Sequence, residues 1–182
     1  MPTAGSPAHK PAMPDPDLII APLAQADLPA AVRLQRDVYP AFLIEDEAAF
    51  QSRLELPDAC CLAARLDGRL AGYLLAHGWA AEAPPPVGAR LAPAGPAQVL
   101  FIHDLAVSPR ARGRKVGEAL IARALGRAAE AGLGRAELIA VEGAADYWRR
   151  LGFMETQTSP QLAAKVAAYG PRARWMTRQI SG

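Results

Sequence analysis

Cysteine is nearly absent from this chain of 182 residues: Cys60 and Cys61, side by side, are the whole supply. Adjacent thiols in an apolar run build no disulfide framework and offer no spaced ligand pair. They read as buried strand thiols in a reducing, cytoplasmic setting, and no metal is expected. Long apolar runs are missing too. None approaches the roughly 18 residues that a membrane-spanning helix needs. The first 17 residues, with five prolines, hold no apolar segment of the secretory kind. No membrane partner is expected. Aromatic residues make up only 6% of the chain and the formal net charge is +2. Nucleic-acid binding draws on many phosphate contacts or on aromatic stacking platforms, so no nucleic-acid partner is expected either. What remains, 51% hydrophobic and 21% charged, has globular proportions. Residues 1–17 read as a disordered proline-rich tail and 18–182 as one domain.

The stretch around which the chain is organised runs from Gln98 to Leu125. A β-type run, Val99 to Ile102 and then Leu105 to Val107, is stopped by Ser108-Pro109, since proline cannot donate to a ladder. The basic turn Arg110-Ala111-Arg112-Gly113-Arg114-Lys115 follows. Val116, Leu120, Ile121, Ala124, Leu125 and Ala128 then fall on one helical face. A helix start carries free N–H groups and about half a positive charge. With arginines beside it, such a place suits a pyrophosphate; a solvated turn between strand and helix has the same composition.

Before this stretch, 18–21 reads as a strand and 28–38 as a helix with Asp27 as N-cap and Pro29 in its first turn. A second helix covers about 45–54. Residues 60–65 and 69–76 read as strands joined by the hairpin dipeptide Asp67-Gly68. Residues 81–97, with five prolines, form a long irregular loop. After the central stretch, 136–141 reads as a strand, 144–151 as a short helix and 153–156 as the start of a strand. An Ala-rich connection leads to a last strand at 174–178. This order fits a mixed α+β sheet with helices on both faces. Charge divides along the chain: residues 1–97 hold eleven acidic and seven basic residues, 98–182 seven and thirteen. A basic second half suits a polyanionic ligand. The acidic cluster Glu45-Asp46-Glu47 would attract a cationic acceptor, and is equally an ordinary acidic helix start.

Two segments resemble motifs of the GNAT N-acetyltransferase superfamily. Leu105-Ala106-Val107-Ser108-Pro109, followed by Arg112, Gly113 and Gly117, is similar to its motif A, Arg/Gln-x-x-Gly-x-Gly/Ala after a strand. Tyr147-Trp148-Arg149-Arg150-Leu151-Gly152-Phe153 is similar to its motif B, in the aromatic-Trp form of some bacterial members. The resemblance implies the GNAT fold: a central twisted, mostly antiparallel sheet of about six to seven strands with helices on both faces. It also implies acetyl transfer from acetyl-CoA, as cosubstrate, to a primary amine on a small molecule or peptide, by direct attack in a ternary complex. The strand end Leu105, Ala106 and Val107 would bond the pantetheine arm through its backbone, chiefly at Leu105 and Val107. The loop Arg112, Gly113, Arg114, Lys115, Val116 and Gly117 would hold the pyrophosphate. Many bacterial members dimerise, which leaves a homodimer open.

Two positions depart from that pattern. The first motif glycine is Lys115, whose Cβ would crowd the phosphates while its ammonium attracts them. The tyrosine that many members use to reprotonate the thiolate is Trp148, an N–H donor without usable acidity; Tyr147 reads as a core residue facing elsewhere. A catalytically silent acetyl-CoA-binding or sensing domain is the alternative these departures raise. The general base is sought among His103 and Asp104, expected on opposite faces of the central strand with His103 beside Leu105 and Val107. His77 on the preceding strand and Tyr39 between the first two helices complete the candidates.

Overall fold

The computed structural model describes residues 17–181. The expected disordered tail, apart from Asp17, lies outside the described residues. Seven strands form one sheet: β1 (Ile19–Pro22), β2 (Leu62–Leu66), β3 (Arg69–Trp79), β4 (Val99–Val107), β5 (Arg135–Ala140), β6 (Met154–Glu155) and β7 (Arg174–Gln179). Their order is β1-β2-β3-β4-β5-β7-β6, antiparallel throughout except for the parallel pair β4–β5 at the centre. This is the α+β sheet expected from the sequence. The β2–β3 hairpin turns on Asp67 (φ 50°) and Gly68 (φ 73°), the two left-handed residues of a tight hairpin.

Helices α1 (Leu28–Val38), α2 (Glu47–Leu54) and α5 (Pro160–Ala167) cover one face of the sheet, and α3 (Val116–Glu130) and α4 (Ala145–Arg150) the other. On α3, Val116, Leu120, Ile121, Ala124, Leu125 and Ala128 are all buried, so its apolar stripe seats it against β2, β3 and β4. The opposite core packs Leu28, Val32 and Phe50 against Tyr73, Leu75 and Ala106.

Three local expectations are corrected. Asp27 does not cap α1. Its own backbone is helical, and its carboxylate instead accepts from the Ala24 N–H (2.9 Å), closing the short 3-10 turn Gln25–Asp27, and pairs with Arg65. Helix α2 starts after Asp46, whose side chain accepts from the Ala49 N–H at 2.7 Å, so Glu45 lies outside the helix. The Ala-rich connection contains α5, capped by Ser159 onto the Leu162 N–H (3.2 Å) with Pro160 at its first position. Ser-Pro ahead of an Ala-rich run is a helix-start signal legible in the sequence.

Candidate active site

The centre of the sheet is parted. Pairing between β4 and β5 joins Leu100 to Ala136, Phe101 to Glu137 and Ile102 to Leu138, and stops there, although β4 continues to Val107. A β-bulge sits at the parting. Leu75 pairs with Asp104 but its neighbour Ala76 pairs with Ile102, leaving His103 as the extra residue. A bulge bends its strand and shifts the alternation by one residue. Leu100 and Ile102 therefore face α3, and beyond the bulge Leu105 and Val107 do so as well. His103 and Asp104 do not lie on opposite faces, as strict alternation predicts: both reach the side of α1 and α2.

Beyond the bulge the Ser108 N–H donates to the Ala71 carbonyl (2.8 Å). Alternate residues of an antiparallel strand bond the same neighbour, so Asp104 and Ala106 turn their backbone groups to β3. Leu105 and Val107 turn theirs into the parting. One of these groups is engaged from within the chain: the Tyr39 hydroxyl donates to the Leu105 carbonyl at 2.9 Å.

A cavity of about 370 Å³ occupies the parting and is lined by residues from both faces of the sheet. On the α3 side its walls include Val107, Arg112, Leu138, Tyr147 and Trp148; on the other side they include Tyr39, Leu43, Glu45, Val87, His103 and Tyr169. Of the residues singled out from sequence, Tyr39, His103, Asp104, Leu105, Ala106, Val107, Arg112 and Trp148 line it. Gly113, Arg114, Lys115, Val116 and Gly117 form the turn and helix start next to Arg112.

His77 lies elsewhere. It is 0% exposed, packed against Trp79, Phe101 and His103, and burial drives its pKa down to about 3, helped by the Arg53 charge. It is a neutral core imidazole outside the cavity wall. Tyr39 also holds its proton: burial and then the Asp104 charge push its pKa well up, so it serves as a donor to Leu105.

His103 is held by a partner the sequence did not reveal. Its Nε2 lies 2.9 Å from Glu45 Oε2 and 2.7 Å from the Arg53 guanidinium. Glu45 Oε1 also accepts from Arg53 (2.8 Å) and from the Gly88 N–H (2.5 Å). Burial pushes the Glu45 carboxyl up, but the His103 hydrogen bond, the Arg53 charge and the Gly88 N–H outweigh it and leave the pKa lowered. Glu45 is 4% exposed and fully engaged, neither a solvated helix start nor a free attractor for cations. His103 Nδ1 has no partner among the described residues. Asp104 Oδ2 accepts from Tyr73 (2.5 Å) and Gln35 (3.4 Å), while Oδ1 is likewise unpartnered. Burial raises the Asp104 pKa against the pull of those hydrogen bonds.

The proline-rich loop 81–97 is tied down over this cluster. Besides Gly88 on Glu45, the Ala89 carbonyl accepts from Arg53 (3.1 Å), the Leu91 N–H donates to Ser52 (3.0 Å) and the Pro85 carbonyl accepts from the Tyr169 hydroxyl. Val87, between these anchors, reaches the cavity. The loop is a wall of the site, where its length alone had allowed a mere surface insertion.

On the α3 side Lys115 is the N-cap of the helix and is left-handed, with φ 56°. The motif glycine at this place therefore answers a conformational demand as well as a steric one. Lys115 Nζ lies 3.9 Å from Glu118. Tyr147 does not face elsewhere. A Cβ on Gly117 would meet the Tyr147 hydroxyl at 2.3 Å, so the phenol lies directly across the start of α3. Burial and the Glu118 charge push its pKa up to about 12. Trp148 packs edge-on against Tyr147 and Phe153 and is itself core. Among the described residues no cluster of three His, Cys, Asp or Glu is placed to hold a metal, and no helix is long and apolar enough to cross a membrane.

A sheet parted at its centre, with a basic helix start on one face and a buried titratable cluster on the other, has the layout of an acyltransferase. The sequence profile described as the Acetyltransferase (GNAT) family matches residues 28–153, and the chain belongs to that family. Among solved structures it is similar to Ard1 from Thermoplasma volcanium, with 16% identity, a TM-score of 0.68 and coverage of 91% of this chain and 99% of the other. The ribosomal-protein-S18-alanine N-acetyltransferase from Escherichia coli matches at 17% identity and TM-score 0.64, over 91% and 95% of the two chains. Arabidopsis thaliana Naa50, solved with the bisubstrate analogue CoA-Ac-MVNAL, matches at 14% identity and TM-score 0.63, over 89% and 98%. At these identities the likeness is one of fold. No curated protein matches in sequence.

Proposed function

We propose that the protein is an acetyl-CoA-dependent N-acetyltransferase acting on a primary amine by direct attack in a ternary complex. The observation that carries this reading is a cavity beside His103, in the parting of β4 and β5, lined from both faces of the sheet; this supports two substrates meeting there. The unpaired backbone of Leu105 and Val107 suits a pantetheine arm, with the Leu105 carbonyl already taken by Tyr39, and Arg112 with the start of α3 suits a diphosphate. Acetyl-CoA supplies the thioester. The ammonium of the acceptor gives a proton to His103 in the tautomer whose Nε2–H faces Glu45 and whose Nδ1 carries the lone pair. The amine nitrogen then bonds to the carbonyl carbon, the C–S bond breaks, and the departing CoA thiolate takes up the second proton that this nitrogen sheds as it becomes the amide. A free thiol has a pKa near ~8.5, so this departure needs no strong acid, and Trp148 in place of tyrosine is tolerable. An N–H on β4, most directly that of Leu105, can polarise the thioester carbonyl.

Thiol release from acetyl-CoA with a panel of amines tests the reading, together with calorimetric binding of CoA. Amine-dependent thiol release is expected. Tight CoA binding without turnover on any amine would indicate the silent domain; absence of CoA binding would sink both readings.

A further inference from the structure

The polar groups on the α1, α2 and α5 side of the cavity are almost all spoken for. Both Glu45 oxygens are occupied, by Arg53 and Gly88 on one and His103 on the other. Glu142 pairs with Arg172 at 2.6 Å. The Tyr39 and Tyr169 hydroxyls donate to backbone carbonyls. Two buried polar atoms, His103 Nδ1 and Asp104 Oδ1, have no partner among the described residues, and the bulge sets them on neighbouring residues of the same strand face; in the tautomer that gives Nε2–H to Glu45, both are acceptors. Gln35 donates to Asp104 and accepts from the Glu45 N–H, and the rest of this wall is largely apolar. Leu43, Val87, Phe101 and Ile139 belong to one hydrophobic cluster and all line the cavity. A buried acceptor without a partner calls for a donor. An ammonium group brings three donors and one charge; a second cation would meet carboxylates already neutralised.

We propose that the acceptor carries a single ammonium group beside an apolar substituent, with the ammonium at His103 and Asp104 and the substituent against Leu43, Val87, Phe101 and Ile139. This rests on the acetyl-transfer reading and narrows its substrate class. Polycationic acceptors, such as polyamines and aminoglycosides, find no second counter-charge here. Loop 81–97 sets the size limit through Val87, because its backbone is pinned to Glu45, Arg53, Ser52 and Tyr169.

The test compares kcat/KM for leucinamide, glycinamide, a leucine-initiated tetrapeptide, spermidine and an aminoglycoside, using the full chain. Burying a branched aliphatic side chain predicts that leucinamide exceeds glycinamide by about 10- to 100-fold, and that spermidine and the aminoglycoside fall below leucinamide. The tetrapeptide separates a chain terminus from a free amine as the source of the same chemistry; activity on either supports the class. Val87→Trp should lower kcat/KM for leucinamide at least about tenfold and leave the Kd of acetyl-CoA unchanged. Glycinamide at or above leucinamide, a preference for the polycations, or unaltered selectivity in Val87→Trp would overturn the proposal. Calorimetric binding of the same amines to the CoA-loaded protein reads the selectivity without chemistry. Loss of turnover therefore counts against acetyl transfer alone, whereas loss of selectivity counts against this assignment.

Discussion

Single residues carry costs that can be measured one at a time. Lys115 holds φ 56° where its relatives in motif A hold glycine. A left-handed non-glycine residue costs about 1–2 kcal/mol, and introducing glycine returns about 0.4–1 kcal/mol of that as unfolded-chain entropy. Lys115→Gly should therefore stabilise the ligand-free protein by up to about 1 kcal/mol, a Tm rise of about 2–4 °C in a chain of this size. An unchanged or lower Tm would mean that the turn relaxes around lysine without strain. His77 carries a cost of another kind. Its pKa is about 3 in the folded chain and about 6.5 when unfolded. Between those values the unfolded state binds the extra proton, so stability is present above pH 6.5 and drains away as pH falls. By pH 5 the loss is about 2 kcal/mol. Denaturant melts of the parent and His77→Phe at pH 7.5 and pH 5 isolate it: the parent should weaken more than the variant by about that amount, and equal slopes would show that the imidazole is protonated without penalty.

Elements meet through close approaches. Helices α3 and α4 touch where Gly117 faces the Tyr147 hydroxyl, and an alanine Cβ would lie 2.3 Å from it. Gly117→Ala should cost about 1 kcal/mol, the low end for overpacking, because the obstacle is the tip of a side chain. Tyr147→Phe removes that tip, and the next atoms, Tyr147 Cζ at 3.4 Å and Val107 Cγ2 at 3.5 Å, are at contact distance. Stability of the double variant should show most of the cost relieved; strictly additive effects would mean that the clash lies elsewhere. At this scale the sequence was readable where a signal is local. Asp67-Gly68 marks its hairpin, the stripe from Val116 to Ala128 marks α3, and the run from Gln98 to Leu125 marks the strand, basic turn and helix on the α3 side of the cavity. The bulge at His103 left no trace, since Phe101 and Ile102 are both apolar and either parity satisfies a buried strand. Glu45 was equally hidden: its partners are eight, forty-three and fifty-eight residues away, and at its own place it looks like one more acid ahead of a helix. The role of Tyr147 depended on a contact with Gly117 that a motif centred on residue 148 does not encode.

The whole molecule joins two chemically different halves across one parted sheet. The basic half supplies β4, its turn and α3; the acidic half supplies α1, α2 and the loop that closes over His103. Ligands that bind the folded state raise its stability by mass action, so acetyl-CoA at about 100 times its Kd should add about 2.7 kcal/mol; at a fixed acetyl-CoA concentration, the proposed ionic seat of the diphosphate predicts a Tm rise that shrinks with added salt. A salt-independent shift would place the ligand away from Arg112 and the start of α3. The most direct test of the meeting point is acetyl transfer by the parent chain and by His103→Ala, each with saturating acetyl-CoA and an active amine. A base in contact with the amine predicts a kcat lower by at least about tenfold, with the Kd of acetyl-CoA unaltered. A His103→Ala protein that turns over as fast as the parent would contradict it.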